Sequence, residues 1–207
     1  MSVTLHYFDG YGRAEGIRMI LHGLGIEFTD NRYNQETFAA FSATGVSETS
    51  QVPCLEIDGK SLVESRAIER YLLVRGGVTT SGNYEGYVND STISFLDDVR
   101  LTMAKFIYVD NNIAGLVEWM KNELPWYLNK LSARLNEHNL FVNDKPQHAD
   151  WAVFEFVYDV FLREKNAEKS KPLLEAHAPK LITFAENFKN NNAGLASYLA
   201  TRPECEF

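Results

Sequence analysis

The chain predicts an α/β N-terminal domain, built as a βαβ unit followed by a ββα unit, joined to an all-α C-terminal helical domain. Three observations carry this. Strand-like runs, short and rich in β-branched and aromatic residues, are confined to the stretch before residue 64. Asp58-Gly59 separates two short apolar runs, as a hairpin turn requires. From Tyr84 onward apolar residues recur at helical spacing and strand-like runs largely disappear.

Val3 to Tyr7 is the first strand, ended by Gly10 and Gly12. A helix follows from about Arg13 to Gly23, with Ala14, Ile17, Ile20, Leu21 and Leu24 on one apolar stripe and Gly25 as its stop. Glu27 to Tyr33 is the second strand, and a strand, helix and strand in so short a stretch place their strands parallel. Val52 precedes Pro53 and is therefore extended, and residues 53 to 63 form a hairpin. A helix over 65 to 75 takes its spacing from Ala67, Ile68, Tyr71 and Leu72. This order is that of a thioredoxin-like domain. We assign it residues 1–76, with a Gly/Thr/Ser-rich linker over 77–83 and the helical domain over 84–207. In the second domain a long helix runs from Tyr84 to about Asn112, and another from about Val117 to His138 bends near Pro125. Residues 150–162 are apolar nearly all round and are expected at the centre of the core. Pro179 to Lys189 forms one more helix, and Arg202-Pro203 begins an exposed tail.

Composition narrows the functional classes. The chain has 207 residues, 45% hydrophobic and 23% charged, as in an ordinary globular protein. With 20 basic and 28 acidic residues its net charge is −8, which argues against nucleic acid or an anionic membrane as the main partner. Two cysteines, Cys54 and Cys205, lie in no zinc-like or Cys-x-x-Cys spacing, so neither a disulfide framework nor a metal site is expected. No run is long enough to span a membrane and the N-terminus lacks a secretory pattern, so a cytoplasmic enzyme or binder is the expectation.

The chemistry concentrates at two places. Val52 presents an extended backbone that can pair with a peptide ligand, and Glu64-Ser65 opens a helix whose first amides can face a carboxylate, with Ser65 as cap. Tyr7 ends a strand just before a helix N-terminus, which sets a phenol near the positive end of a helix dipole. Arg13 opens that helix against the dipole, an unfavourable place that points to a role. The absence of a cysteine between Tyr7 and Arg13 disfavours thiol-disulfide exchange.

Leu5-His6-Tyr7-Phe8, the run Gly12-Arg13-Ala14-Glu15, Val52-Pro53 and Glu64-Ser65 together resemble the cytosolic glutathione S-transferases, nearest in flavour to the sigma class of the alpha, mu, pi and sigma group. The resemblance implies a homodimer that ionises glutathione and presents its thiolate to small hydrophobic electrophiles, with glutathione as substrate and no metal. It implies that Tyr7 donates a hydrogen bond to the sulfur and that Arg13 points toward it or orders the loop. A thiol of pKa about 8.5 is only a few per cent ionised at neutral pH, and a shift of about two units, roughly 2.7 kcal/mol, makes most of it thiolate. A phenolic donor beside a helix end supplies part of that.

By the same resemblance the backbone of Val52, before a cis Pro53, pairs with the tripeptide, while Ser65, Gln51 and Glu64 receive its γ-glutamyl end. Phe38 and Ser42 stand where sigma-like chains hold the glycyl end with a tryptophan and a lysine, so that cation is missing unless Arg32 or Lys60 replaces it. Asp98 reaches across to the neighbouring subunit's ligand, and Phe8, Met103, Ile107 and Tyr108 line the electrophile pocket. Glu64 in place of the usual glutamine is a second departure. Gln147 in place of a serine or threonine removes half of a capping box with Asp150. The rivals are a glutathione-dependent isomerase of the prostaglandin D synthase type and a non-catalytic carrier or structural protein on the same fold.

Overall fold

The computed structural model describes residues 2–79 and 82–205, so residues 80 and 81 of the predicted linker and the last two of the tail lie outside the described residues. Its elements are β1 (Thr4–Phe8), a 3-10 turn (Gly12–Ala14), α1 (Glu15–Gly23), β2 (Thr29–Tyr33), α2 (Gln35–Ser42), β3 (Cys54–Ile57), β4 (Lys60–Val63) and α3 (Ser65–Arg75). Then come α4 (Asn83–Ala104), a π-helical turn (Lys105–Val109), α5 (Ile113–Asn122), α6 (Leu124–Ala133) and α7 (His148–Val157). A second π-helical turn (Tyr158–Leu162), α8 (Glu164–His177), α9 (Pro179–Asn190) and α10 (Ala193–Thr201) complete the chain. Two compact units result: Met1–Val78 together with Asn192–Phe207, and Thr79–Asn191. The terminal helix and tail, expected with the helical domain, thus group with the first unit.

The first unit is a thioredoxin-like mixed sheet in the order β2-β1-β3-β4. β1 and β2 are parallel, while β3 runs antiparallel to both β1 and β4. The α1 stripe reads as predicted over its first four members, since Ala14, Ile17, Ile20 and Leu21 are fully buried. Sequence periodicity missed α2, because only Phe41 of its residues is buried. Its start is nevertheless marked by Asn34-x-x-Thr37: Thr37 N–H donates to Asn34 Oδ1 at 2.9 Å and Asn34 N–H to Thr37 Oγ1 at 3.0 Å.

The tail is exposed at Pro203 and Glu204, as predicted, but it is tied down through Arg202. Arg202 donates to Glu15 Oε1 at 2.5 Å, with the side chain of each almost fully buried. Tyr198 on α10 donates to the same oxygen at 2.9 Å. Glu15 also accepts from Arg18, which donates further to Asp30 and to the Gly10 carbonyl. A buried carboxylate surrounded by this many donors is compensated, and removing any one donor costs more than a surface pair would.

In the second unit, α7 is buried along its whole length and packs Trp151 and Phe154 against Phe188 of α9 at 5.0 and 4.9 Å between rings, as expected of the central helix. The helix predicted to bend near Pro125 breaks at Glu123 into α5 and α6. Proline sits in the first turn of α6, where no intrahelical N–H bond is lost. The helix predicted to Asn112 ends as α-helix at Ala104 and widens into the π turn, closed by Asp110 N–H to the Lys105 carbonyl at 2.9 Å. The sequence reading also missed α8, which buries only Leu174, and α10, which is short and begins with the side-chain cap Asn192 to Leu195 N–H.

Candidate active site

Strand register gathers the predicted residues at one end of the sheet. His6 pairs with Cys54, and Cys54 with Val63, so the residues just beyond these pairs belong to the same edge: Tyr7 and Phe8, then Val52-Pro53, then Glu64-Ser65. Phe8 also pairs with Tyr33, which brings the start of α2 to that edge. The Val52-Pro53 bond is cis. Ahead of it, the buried Ser47 hydroxyl donates to the Gln51 carbonyl at 2.7 Å and accepts from Gln51 N–H at 3.3 Å, so the loop that presents Val52 is held by a residue the sequence reading passed over. Gln51 itself is exposed.

Ser65 is the first residue inside α3; the capping position belongs to Glu64, whose side chain makes no capping bond. That corrects the expectation of Ser65 as cap and leaves its hydroxyl in the first turn, beside the helix's N-terminal amides. Glu64 adopts φ 69°, an uncommon conformation for a residue with a side chain, and such strain is concentrated at functional positions.

Tyr7 is half-buried. Its hydroxyl oxygen accepts the backbone N–H of Arg13 at 2.9 Å. Its ring lies under the Arg18 guanidinium, whose Cζ is 5.8 Å from the centroid. An accepted N–H and a nearby cation both draw density from the phenol oxygen and strengthen its O–H as a donor. Arg13 thus reaches Tyr7 through its backbone, and its side chain is exposed. Gly12 adopts φ 42°, and a Cβ there would stand 2.5 Å from the Tyr7 hydroxyl. Gly12→Ala is expected to displace that hydroxyl and lower turnover about tenfold or more with the fold retained. Steady-state activity beside circular dichroism checks it, and parental turnover would show that the hydroxyl's position is unimportant.

On α2, Phe38 packs its ring on Phe8 at 4.8 Å, and Ser42 donates to the Ser50 carbonyl at 3.3 Å. Arg32 is no free replacement for the missing cation, because it is engaged by Asp30 at 2.8 Å and Asp9 at 3.1 Å. Lys60 is exposed on β4 opposite Ile57. Cys54 is fully buried, and burial together with Glu56 pushes its thiol up to about 11, so it is inert at neutral pH. In the helical unit, Asp98 is exposed on α4, Met103 and Ile107 are half-buried, and Tyr108 is largely exposed on the π turn. Among the described residues no group of three or more His, Cys, Asp or Glu is placed to hold a metal, and no helix is long and apolar enough to cross a membrane.

Residues 3–74 match the family described as glutathione S-transferase, N-terminal domain, and residues 97–202 the glutathione S-transferase, C-terminal domain. The chain is 31% identical to glutathione S-transferase 2 of Manduca sexta, over 100% of this chain and 99% of that one. A monomeric glutathione S-transferase of the hookworm Necator americanus superposes with a TM-score of 0.82 at 25% identity, covering 100% of both chains. A prostaglandin synthase D of Nilaparvata lugens does so with a TM-score of 0.82 at 25% identity, covering 99% of this chain and 100% of that one.

Proposed function

Because this chain belongs to the glutathione S-transferase family, we propose that it binds glutathione at the sheet edge formed by Tyr7, Val52-Pro53 and Ser65 and presents the sulfur as a thiolate to electrophiles. The observation that carries this reading is the Tyr7 hydroxyl accepting the Arg13 amide at 2.9 Å, beside the start of α1. A phenol so polarised stabilises a thiolate by donating to it and need not act as a base. The extended Val52 backbone pairs with the tripeptide, and the first turn of α3 with Ser65 takes the γ-glutamyl carboxylate. Gln51 and Glu64 lie at that end. Phe38 gives the glycyl end a ring without a cation, which weakens that contact.

The glutathione domain is taken as residues 1–76, with the linker over 77–83. The electrophile is assigned to Met103, Ile107 and Tyr108 of the helical unit. A sigma-like, cytoplasmic, detoxifying homodimer is the finer form of the reading. On α4, the exposed residues Tyr84, Tyr87, Ser94, Asp98 and Leu101 follow helical spacing along one face, the pattern of a surface that meets a partner. If Asp98 serves the neighbouring site, Asp98→Ala weakens glutathione binding about three- to tenfold, and unchanged affinity by calorimetry removes that assignment.

Conjugation of glutathione to an aryl halide, run beside calorimetric titration of glutathione alone, tests the whole reading. Turnover with binding supports it, while absence of both would leave a non-catalytic protein on the same fold. The resemblance to the Nilaparvata lugens prostaglandin synthase D favours one second reading, an isomerase acting on an endoperoxide. Binding with rearrangement of such a substrate, in place of conjugation, would select it.

A further inference from the structure

We propose that the C-terminal segment Arg202–Cys205 is a positioning element of the thiolate site and that Arg202 is the residue through which it acts. The proposal rests on the role given above to Tyr7. The turn that brings the Arg13 amide to Tyr7 runs from Gly12 to Ala14, with Tyr11 as the residue before it and Glu15 as the residue after it. Arg202 holds both ends of that turn. Its guanidinium lies 4.1 Å above the Tyr11 ring and donates to Glu15 at 2.5 Å.

The next residue adds a second clamp. Tyr11 is 3% exposed, and its hydroxyl donates to the Pro203 carbonyl at 2.9 Å. Burial raises the Tyr11 phenol above its ordinary range, so it remains a neutral donor. The charged and titratable groups around it are Arg202, Glu204, Cys205 and Glu15. At the third point Arg32 donates to the Cys205 sulfur at 3.4 Å, joining the tail to the Asp30 pair that also holds Arg18. Arg18 in turn faces the Tyr7 ring and binds the Gly10 carbonyl at 2.7 Å.

These contacts tie the Gly10–Arg13 loop to the tail and to the ion network it enters. A shift of a few tenths of an ångström in that loop alters the Arg13 N–H to Tyr7 bond, whose strength falls steeply with geometry. A stacked, hydrogen-bonded guanidinium is also not replaceable by an ammonium.

The test is the pH profile of kcat/KM for glutathione conjugation in the full-length chain, with Arg202→Ala, Arg202→Lys and Tyr11→Phe. Tyr7→Phe is measured in parallel and folding is followed by circular dichroism. We expect Arg202→Ala to move the profile midpoint upward by about half to one pH unit, a loss of about three- to tenfold below the midpoint that is recovered at high pH. KM for glutathione should change less than about threefold. Tyr11→Phe should move the midpoint in the same direction by less, and Arg202→Lys should restore less than half of the shift. Should Arg202→Ala fail to fold, Tyr11→Phe decides. Profiles superimposable on the parent, or activity lost equally at all pH in step with the folded fraction, overturn the proposal. If that happens while Tyr7→Phe is inactive, the tail's role alone falls. If Tyr7→Phe retains parental turnover, the role of Tyr7 falls and takes the tail's role with it.

Discussion

Tyr7→Phe is expected to lower kcat about 10²-fold while leaving glutathione affinity within about threefold, because one polarised donor aimed at developing charge is worth about that much. The ring and its place under Arg18 survive the change, and only the hydroxyl that accepts from Arg13 is removed. The loss should be largest near pH 6 and shrink as pH passes about 8.5, where a thiol ionises without help. Stopped or steady-state conjugation between pH 6 and 9, beside calorimetry of glutathione, measures both parts. A uniform loss at every pH would mean that the hydroxyl shapes the site without stabilising thiolate, and no loss would remove Tyr7 from the mechanism.

The second large effect is on stability. Asp150 at the start of α7 is buried and accepts Gln147 N–H at 2.7 Å through one oxygen and Phe141 N–H at 2.9 Å through the other. The bond to Gln147 is one half of a capping box. The bond to Phe141 fixes the loop that precedes the helix, a contact no spacing rule predicts. Asp150→Ala leaves two buried amides without their acceptor and should cost about 2–4 kcal/mol at neutral pH, while Asp150→Asn, which keeps one oxygen, should cost about half of that.

The pH dependence has a definite sign. Burial pushes the Asp150 carboxyl up to about 6, against the opposing pull of the backbone N–H groups of Gln147, Phe141 and Asp150 itself. The folded state then binds the proton more tightly than the unfolded chain, whose value is 3.8. The proton-linked part of its contribution is thus fully present below about pH 3.8 and is lost as pH rises through about 6, while the two amide bonds remain. The total is on the order of 3 kcal/mol. Denaturant titrations between pH 4 and 7 should show that slope in the parent and a flatter one in Asp150→Asn; equal slopes would mean that Asp150 titrates near its ordinary value.

Where the information was local, the sequence sufficed. Proline before a strand, Asp-Gly between two apolar runs and a stripe at Ala14, Ile17, Ile20 and Leu21 each act within a few residues, and β3, β4, α1 and α3 follow from them. The edge that holds Tyr7, Val52 and Ser65 was legible for the same reason, since strand ends and helix starts are set by short-range chemistry. α2 and α8 were not, because they bury one residue each and so leave almost no periodic signal.

What lay beyond the sequence depends on residues far apart along the chain. That the Tyr7 ring meets Arg18 while Arg13 supplies only its amide, that Arg32 is spent on Asp30 and Asp9, and that Arg202 and Pro203 return to clamp Tyr11 were decided by tertiary structure. The sequence determined the elements and which of their ends carry chemistry, because dihedral preference and hydrophobic period are encoded within a turn or two of chain. Tertiary structure decided the partners, because a buried charge takes whichever donors the packed backbone brings within hydrogen-bond reach, and that distance is set by the whole fold.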